Sequence, residues 1–160
     1  MTLQLIERGC PNCYGPVTDD RLSEGLPCES CLPEPERKVC TALRKLKTLK
    51  ALKPYCEADS KLERFIRFFK KGVGAEPWSL QRVWAKRVFL GESFAVVAPT
   101  GVGKTTFGLV MGLFLKPKVL MIFPTRLLAQ QAEEKLNELQ RRLGTDRKVL
   151  LYKSTQGVRK

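Results

Sequence analysis

The sequence predicts an α/β fold with a parallel sheet, preceded by helices and a small cysteine-rich head. Three short apolar runs, 94–98, 119–123 and 149–152, are rich in β-branched residues and short enough to be buried strands. Helical patterns fill the gaps, from Lys104 to about Leu115 and from Leu127 to Leu143, with Gly144 as the cap of the second. This β-α-β-α-β order favours parallel strands joined by right-handed crossovers.

The composition narrows the possible functions. The 160 residues fit a single globular domain, and 43% of them are apolar. With 29 basic and 16 acidic residues the net charge is +13, which favours a polyanionic partner such as nucleic acid over the weaker alternative, a membrane surface. The sequence has no histidine, which excludes Ser-His, Cys-His and His-metal chemistry.

Neither a membrane span nor a secretion signal is expected. The longest nearly apolar run, 107–115, contains two glycines and is shorter than the roughly 20 residues that a spanning helix needs. The first ten residues lack a basic stretch followed by an apolar one. We therefore expect a protein of the reducing cytoplasm, where disulfides are rare.

Charge and proline divide the chain into segments. Residues 1–35 carry two basic and six acidic side chains, whereas residues 36–71 carry twelve basic and four acidic ones. Two prolines at this boundary predict a stiff spacer. We therefore expect a head at 1–35, a basic helical connector at 36–76 and the α/β part at 77–160.

The connector begins with a pattern typical of a basic amphipathic helix. Apolar residues recur at approximately helical spacing from Arg37 to Lys53, and Pro54 is expected to end the helix. Its lysines either contact DNA directly or form an ordinary solvated face.

Two further helices carry start and stop signals. Ser60 and Glu63 predict a capping box at the start of one helix, which is expected to end at Gly72. The next helix follows Pro77, with Ser79 as its expected N-cap and Gly91 as its stop.

The six cysteines fall into two groups. Four form two CxxC pairs separated by fourteen residues, a spacing typical of a tetrathiolate zinc site; redox pairs or buried thiols are the alternatives. In so small a head the metal is expected to be the main determinant of the fold. The other two, Cys40 and Cys56, are expected to be semi-buried structural thiols. The expected ligands in the zinc ribbon at 1–35 are Cys10, Cys13, Cys28 and Cys31.

A glycine-rich loop follows the first predicted strand and precedes a predicted helix, which is the setting of a Walker A phosphate loop. Gly101 and Gly103 let successive backbone N–H groups converge on a phosphate. Lys104 is expected to reach the β- and γ-phosphate oxygens and Thr105 to bind Mg²⁺, which makes them the candidate catalytic residues. The expected nucleotide-binding residues here are Ala98, Pro99, Thr100, Gly101, Val102, Gly103, Lys104, Thr105 and Thr106.

Two departures from the full phosphate-loop pattern qualify this prediction. Ala98 stands where the strict motif has its first glycine. No acidic residue lies in an apolar strand after the loop, so the Walker B carboxylate that holds the metal and positions water is missing. We therefore expect nucleotide binding without turnover.

Three motifs together resemble those of superfamily 2 helicases. They are the phosphate loop at 98–105, the segment PTRLLAQQ at 124–131, and Gln81, which lies 23 residues before Lys104. The run PWSLQRVWAKRVFLGESFAVVAPTGVGKTT at 77–106, together with the four-cysteine head, resembles the N-terminal part of the archaeal reverse gyrase family. The resemblance covers almost the whole chain and implies a partial RecA-like domain that stops before motif II.

The resemblance also implies roles for further residues. Gln81 would recognise the adenine edge, because an amide donates and accepts at once. Pro124, Thr125 and Arg126 would face the nucleic-acid backbone. The expected cofactors are Zn²⁺, ATP and Mg²⁺, and the expected partners are single- and double-stranded DNA and the remaining helicase-like and topoisomerase domains.

The function that the resemblance implies is the ATP- and DNA-binding part of an ATP-dependent type IA topoisomerase that introduces positive supercoils. Three alternatives are a non-enzymatic zinc- and DNA-binding module with an idle phosphate loop, a fragment of another superfamily 2 helicase, and a small nucleotide kinase. The spacing from Gln81 to Lys104 and the segment 124–126 disfavour the kinase.

Overall fold

A computed structural model of the chain describes residues 4–152. The chain divides into two compact units, Met1–Ser60 and Lys61–Lys160. The boundaries expected at residues 35 and 76 remain predictions. The helices and strands are β1 (Leu5–Ile6), β2 (Val17–Thr18), α1 (Asp19–Ser23), α2 (Val39–Lys45), α3 (Lys53–Val73), α4 (Ser79–Phe89), α5 (Lys104–Phe114) and α6 (Arg126–Leu143).

The first unit is built around the cysteines and a short hairpin. Strands β1 and β2 pair antiparallel, with Leu5 opposite Thr18 and Ile6 opposite Val17. Three of the four CxxC cysteines lie among the buried residues of the unit's apolar core. The full buried set is Cys10, Val17, Leu26, Cys28, Cys31, Leu32, Ala42 and Leu43.

A buried arginine fixes the segment that carries the second CxxC pair. Arg21 of α1 is 7% exposed, and its Nε donates to the Pro27 carbonyl at 2.9 Å. Its Nη2 donates to the Leu32 carbonyl and its Nη1 to the Pro33 carbonyl at 3.5 Å. Backbone carbonyls on both sides of the second CxxC pair thus accept hydrogen bonds from the Arg21 guanidinium. These hydrogen bonds offset the cost of burying its charge.

The basic helix is shorter than its pattern predicts. α2 covers only Val39–Lys45, and Lys47 just beyond it has a left-handed φ of 58°. Pro54 does not end a helix, because it lies in the first turn of α3, where its missing N–H leaves no hydrogen bond unmade. Ser60 does not start one, because it lies inside α3 and its hydroxyl donates to the Cys56 carbonyl at 3.0 Å.

Cys40 and Cys56 form a disulfide, and the expectation of two free thiols was therefore wrong. Their Cα atoms are 5.4 Å apart, within the range that a bridge requires. The expectation rested on the reducing compartment and on the lack of CxxC partners for these two cysteines, whereas the bridge depends on the loop that brings the starts of α2 and α3 together. Arg44 supports this arrangement, because its Nη2 donates to the Cys56 carbonyl at 2.9 Å.

Replacing Cys40 and Cys56 by serine should lower the stability of the first unit by roughly 2 to 3 kcal/mol. The bridge joins positions 16 residues apart and restricts the unfolded chain, which is the main source of its stabilisation. Thermal melting of the oxidised protein and of the variant measures the difference. Wild-type protein reduced with a phosphine is the matched control and should melt with the variant. If the oxidised protein melts at the same temperature as the serine variant, the result contradicts a stabilising bridge between Cys40 and Cys56.

The core of the second unit is rich in aromatic rings. Phe65 of α3 is fully buried and lies between 5.3 and 6.0 Å from four other rings, measured between centroids. Three of these four pairs are edge-to-face, which is a favoured aromatic geometry. Trp84 packs on the Phe107 ring, with the two centroids 5.4 Å apart. The four rings around Phe65 are Phe69, Phe89, Phe107 and Phe114.

The two helices predicted in the α/β part are confirmed. α5 begins at Lys104, and α6 ends where Gly144 adopts a φ of 67°. α6 buries one apolar stripe, and Leu128 in its first turn is 43% exposed. The buried members are Ala132, Leu136, Leu139 and Leu143.

Helices α3 and α6 cap each other's ends. Lys71 Nζ donates to the Leu143 carbonyl at 2.8 Å, and Arg142 Nη1 donates to the Gly72 carbonyl at 3.5 Å. Gly72 is therefore not the cap that its position suggested. A Cβ there would lie 3.3 Å from Leu143, so the glycine serves a close helix contact, and Gly74 with a φ of 86° follows the helix end.

The three segments predicted as parallel strands carry no strand assignment, and the sheet described is the β1–β2 pair. Alternate side chains nevertheless pack against the core: Phe94, Val96, Ala98, Met121, Phe123 and Val149. Those between them are strongly exposed: Val97, Leu120, Ile122 and Leu150. Parallel sheets are normally covered on both faces, whereas here only one side of each segment is covered.

Within residues 4–152, no helix combines the length and the apolar character needed to cross a membrane.

Candidate metal centre and phosphate loop

The structure brings the four predicted zinc ligands together. The sulfurs of Cys10, Cys13, Cys28 and Cys31 all lie within 4.8 Å of one another, and the Cys13 and Cys28 sulfurs are 3.6 Å apart. A tetrahedral zinc with bonds of about 2.3 Å would separate its sulfurs by about 3.8 Å. The cluster therefore has the size of a tetrathiolate zinc site.

Backbone amides favour negative charge on two of these sulfurs. The N–H of Gly15 donates to Cys13 Sγ at 3.4 Å, and the N–H of Cys28 donates to Cys10 Sγ at 3.3 Å. A thiolate accepts such bonds better than a thiol does. The donor set thus matches the soft, anionic ligands that zinc prefers.

The cysteines differ in how readily they ionise. Burial raises the pKa of Cys10, but the N–H groups of Cys28, Cys13 and Asn12 outweigh it and lower this pKa to about 6. Burial raises the pKa of Cys31 to about 12 and shifts that of Cys28 in the same direction. Full ionisation of the cluster therefore needs a cation beside it, as zinc provides.

Both CxxC turns are docked on the loop between α2 and α3. The Asn12 side chain is fully buried, donates to the Thr48 carbonyl at 2.8 Å and accepts from the Lys50 N–H at 2.8 Å. From the other turn, the Cys31 carbonyl accepts from the Thr48 hydroxyl at 2.7 Å. Hydrogen bonds therefore hold the basic loop 47–51 against both turns of the cysteine cluster. Sequence reasoning missed Asn12, since nothing local signals a partner 36 residues away.

The phosphate loop has the backbone that phosphate binding requires. Gly101 and Gly103 have left-handed φ values of 88° and 78°. A Cβ at Gly101 would meet nothing within 4 Å, whereas one at Gly103 would lie 2.8 Å from Gln81 Nε2. The first backbone bond of α5 joins Phe107 to Gly103, so the N–H groups of residues 104–106 point out of the helix end. The left-handed glycines and the free N–H groups of residues 104–106 thus fit a phosphate group.

Lys104 lies folded back onto its own loop. Its Nζ donates to the carbonyls of Ala98 and Pro99, at 2.6 and 2.7 Å. Thr105 is exposed in the first turn of α5, where its hydroxyl is free of the core. Both residues lie in the first turn of α5, directly after the glycines of the loop.

Gln81 contacts the phosphate loop directly. It is 4% exposed, its Oε1 accepts from the Trp78 N–H at 3.0 Å, and its Nε2 lies 3.3 Å from the Gly103 carbonyl. α4 therefore has Trp78 rather than Ser79 as its N-cap residue, with Gln81 completing the cap. Gln81 was expected to recognise adenine, and its contact with the loop was not predicted.

The three candidate DNA-contact residues lie together at the start of α6. Pro124, Thr125 and Arg126 are all exposed, and Thr125 Oγ1 accepts from the Leu128 N–H at 3.3 Å as the N-cap of the helix. Arg126 is the first residue of α6. Their contact with DNA remains a prediction.

Comparison with known proteins finds one family match over the phosphate loop and another over the cysteine cluster. Residues 78–159 match the DEAD/DEAH box helicase family and include Gln81 and the phosphate loop. Because this match covers half of the chain, the chain belongs to the DEAD/DEAH box helicase family. Residues 1–50 match the reverse gyrase zinc finger, which includes all four clustered cysteines and the basic loop as far as Lys50.

The individual relatives are more specific. The chain is 67% identical over 160 residues to Reverse gyrase 2 of Aquifex aeolicus, covering 99% of this chain and 14% of the relative. It is 49% identical over 154 residues to the Reverse gyrase of Pyrobaculum aerophilum and 43% identical over 152 residues to that of Methanocaldococcus jannaschii. These alignments each cover 91% of this chain, with 12% and 9% of the respective relatives. The resemblance seen in the motifs is confirmed, and the chain spans a small part of those proteins.

Proposed function

We propose that this chain is the ATP- and DNA-binding N-terminal region of a reverse gyrase, a cytoplasmic ATP-dependent topoisomerase that introduces positive supercoils. The observation that carries the proposal is the packing of Gln81 against the Gly103 carbonyl of the phosphate loop, in a chain that also holds a four-cysteine cluster. Its partners are single- and double-stranded DNA and the rest of the longer protein. A disulfide is compatible with the cytoplasm, since intracellular proteins of hyperthermophiles contain them.

In this proposal each element has a defined task. Cys10, Cys13, Cys28 and Cys31 hold zinc, which supplies a fixed tetrahedral link rather than chemistry. The N–H groups of residues 101–106 and the Lys104 amine bind the phosphates of ATP, and Thr105 binds Mg²⁺. Gln81 holds the loop and recognises the adenine edge, since its amide has hydrogen-bonding capacity beyond the bonds described.

The proposal also includes a partial RecA-like domain with a parallel sheet. Its strands would be 94–98, 119–123 and 149–152, paired when further parts of the longer protein cover the exposed side chains. The alternation of packed and exposed residues along these segments supports this, because strands have a side-chain period of two.

DNA binding should be weak, independent of sequence and strongly reduced by salt. The expected cause is release of condensed counterions by the basic residues of 36–71 and of 110–160. Fluorescence anisotropy of labelled oligonucleotides over a salt series measures the slope of log K against log salt. Replacing Lys45, Lys47 and Lys50 by glutamine should reduce that slope if the loop takes part. A slope near zero for the wild type would refute the DNA-binding part of the proposal.

A further inference from the structure

Tyr14 occupies a backbone conformation that tyrosine rarely adopts. It directly follows the first CxxC pair, and its φ is 59°, in the left-handed region where glycine is the usual residue. Its N–H donates to the Cys10 carbonyl at 2.9 Å, so the turn that closes the zinc cluster fixes this conformation.

Burial of the Tyr14 ring does little to offset this strained conformation. Its residue is 67% exposed, whereas three CxxC cysteines beside it are buried. Residues kept in a strained conformation tend to lie where a function uses them. An exposed aromatic ring on a rigid turn is a platform on which a flat group can stack.

The loop docked on this turn is cationic. Asn12, two residues before Tyr14, holds the N–H of Lys50 and the carbonyl of Thr48, so the loop that carries Lys47 and Lys50 is docked on the same turn. Both lysines are exposed, and Lys47, like Tyr14, has a left-handed φ. Arg8, also exposed and left-handed, lies two residues before Cys10. The docked loop thus adds two lysines to the otherwise acidic head.

We infer that Tyr14 and the lysines of loop 47–51 form a binding surface for unpaired nucleic acid, in which Tyr14 stacks on a base and the lysines contact phosphates. This inference rests on the proposed function and adds a preference for single strands at a defined place. Stacking requires an exposed base face, which a duplex does not offer along its length, whereas phosphate contacts serve both forms.

The test compares Tyr14→Gly in the full chain with wild type, using a short oligothymidylate and a duplex of equal length. Glycine suits the left-handed position, so zinc content should stay at one equivalent and the melting temperature should not fall by more than a few degrees. Affinity for the single strand should fall about tenfold, with the duplex unchanged. Tyr14→Phe should keep the single-strand affinity, because the ring remains.

The matched control is Tyr55→Ala, which removes another half-exposed tyrosine of the first unit and should leave both affinities unchanged. Lys47→Gln with Lys50→Gln should weaken both DNA forms and reduce the single-strand salt slope by about 0.7 per lysine. The inference is wrong if Tyr14→Gly binds the single strand like wild type, or loses both forms equally. If wild-type protein binds neither form, the proposed function itself fails.

Discussion

Replacing Cys28 and Cys31 together by serine is expected to abolish zinc binding and to unfold the first unit. The metal supplies on the order of 10 kcal/mol in structural zinc sites, which is comparable to the whole stability of a typical domain. The effect should be this large because the cysteines are part of the small apolar core and both CxxC turns hold loop 47–51. Elemental analysis should find one zinc in the wild type, and circular dichroism should show the loss of folded structure in the variant.

The variant with Cys40 and Cys56 replaced by serine is the control for this experiment. It removes two cysteines from the same unit but no proposed ligand, and it should keep one equivalent of zinc. Less than about half an equivalent in the wild type, or unchanged zinc in the Cys28→Ser, Cys31→Ser variant, would contradict a tetrathiolate site.

Lys104→Ala is expected to weaken ATP binding about a hundredfold. The substitution removes the cation that contacts the β- and γ-phosphates, and a charge-assisted contact of this kind contributes up to about 3 kcal/mol. Calorimetry with Mg-ATP measures the change. Lys118→Ala, which removes an exposed lysine of the same unit outside the phosphate loop, should bind as the wild type does. Gln81→Ala should reduce the preference for ATP over GTP.

The same chain should hydrolyse ATP only at background rate. The sequence has no acidic residue in an apolar strand after the phosphate loop, and phosphoryl transfer uses such a Walker B carboxylate together with an arginine from a second domain. A phosphate-release assay decides the matter. Turnover of roughly 1 per second would show that a carboxylate in this chain does the work. Absence of any nucleotide binding would instead favour the module with an idle phosphate loop.

Local signals predicted the parts of the molecule that depend on neighbouring residues. The CxxC spacing located the cysteine cluster, and the glycine pattern located the phosphate loop, since each motif places its groups within one turn. α6 was predicted with its Gly144 cap because a periodic apolar stripe and a glycine stop are both read over a few residues.

Features that depend on distant parts of the chain were missed. The Asn12 contact with loop 47–51 and the Cys40–Cys56 bridge join positions that no spacing rule connects. Gly72 was taken as a helix cap although it serves the contact with Leu143, 71 positions further along the chain. The predicted parallel strands depend on partners on both faces, and one face is open in this chain. The limits of α2 and α3 were also predicted wrongly, because Pro54 and Ser60 both lie inside α3 rather than at the end of one helix and the start of the next.

The resting position of Lys104 has an entropic consequence for ligand binding. A lysine side chain free in water loses rotamer freedom of about 2 kcal/mol when a ligand immobilises it. Here the amine is already held by the carbonyls of Ala98 and Pro99, so that freedom is lost before any nucleotide arrives. When a nucleotide binds, the Lys104 amine exchanges two neutral carbonyl acceptors for a charged phosphate, and no mobile side chain has to be ordered. Such pre-organisation favours affinity because less conformational entropy is lost on binding.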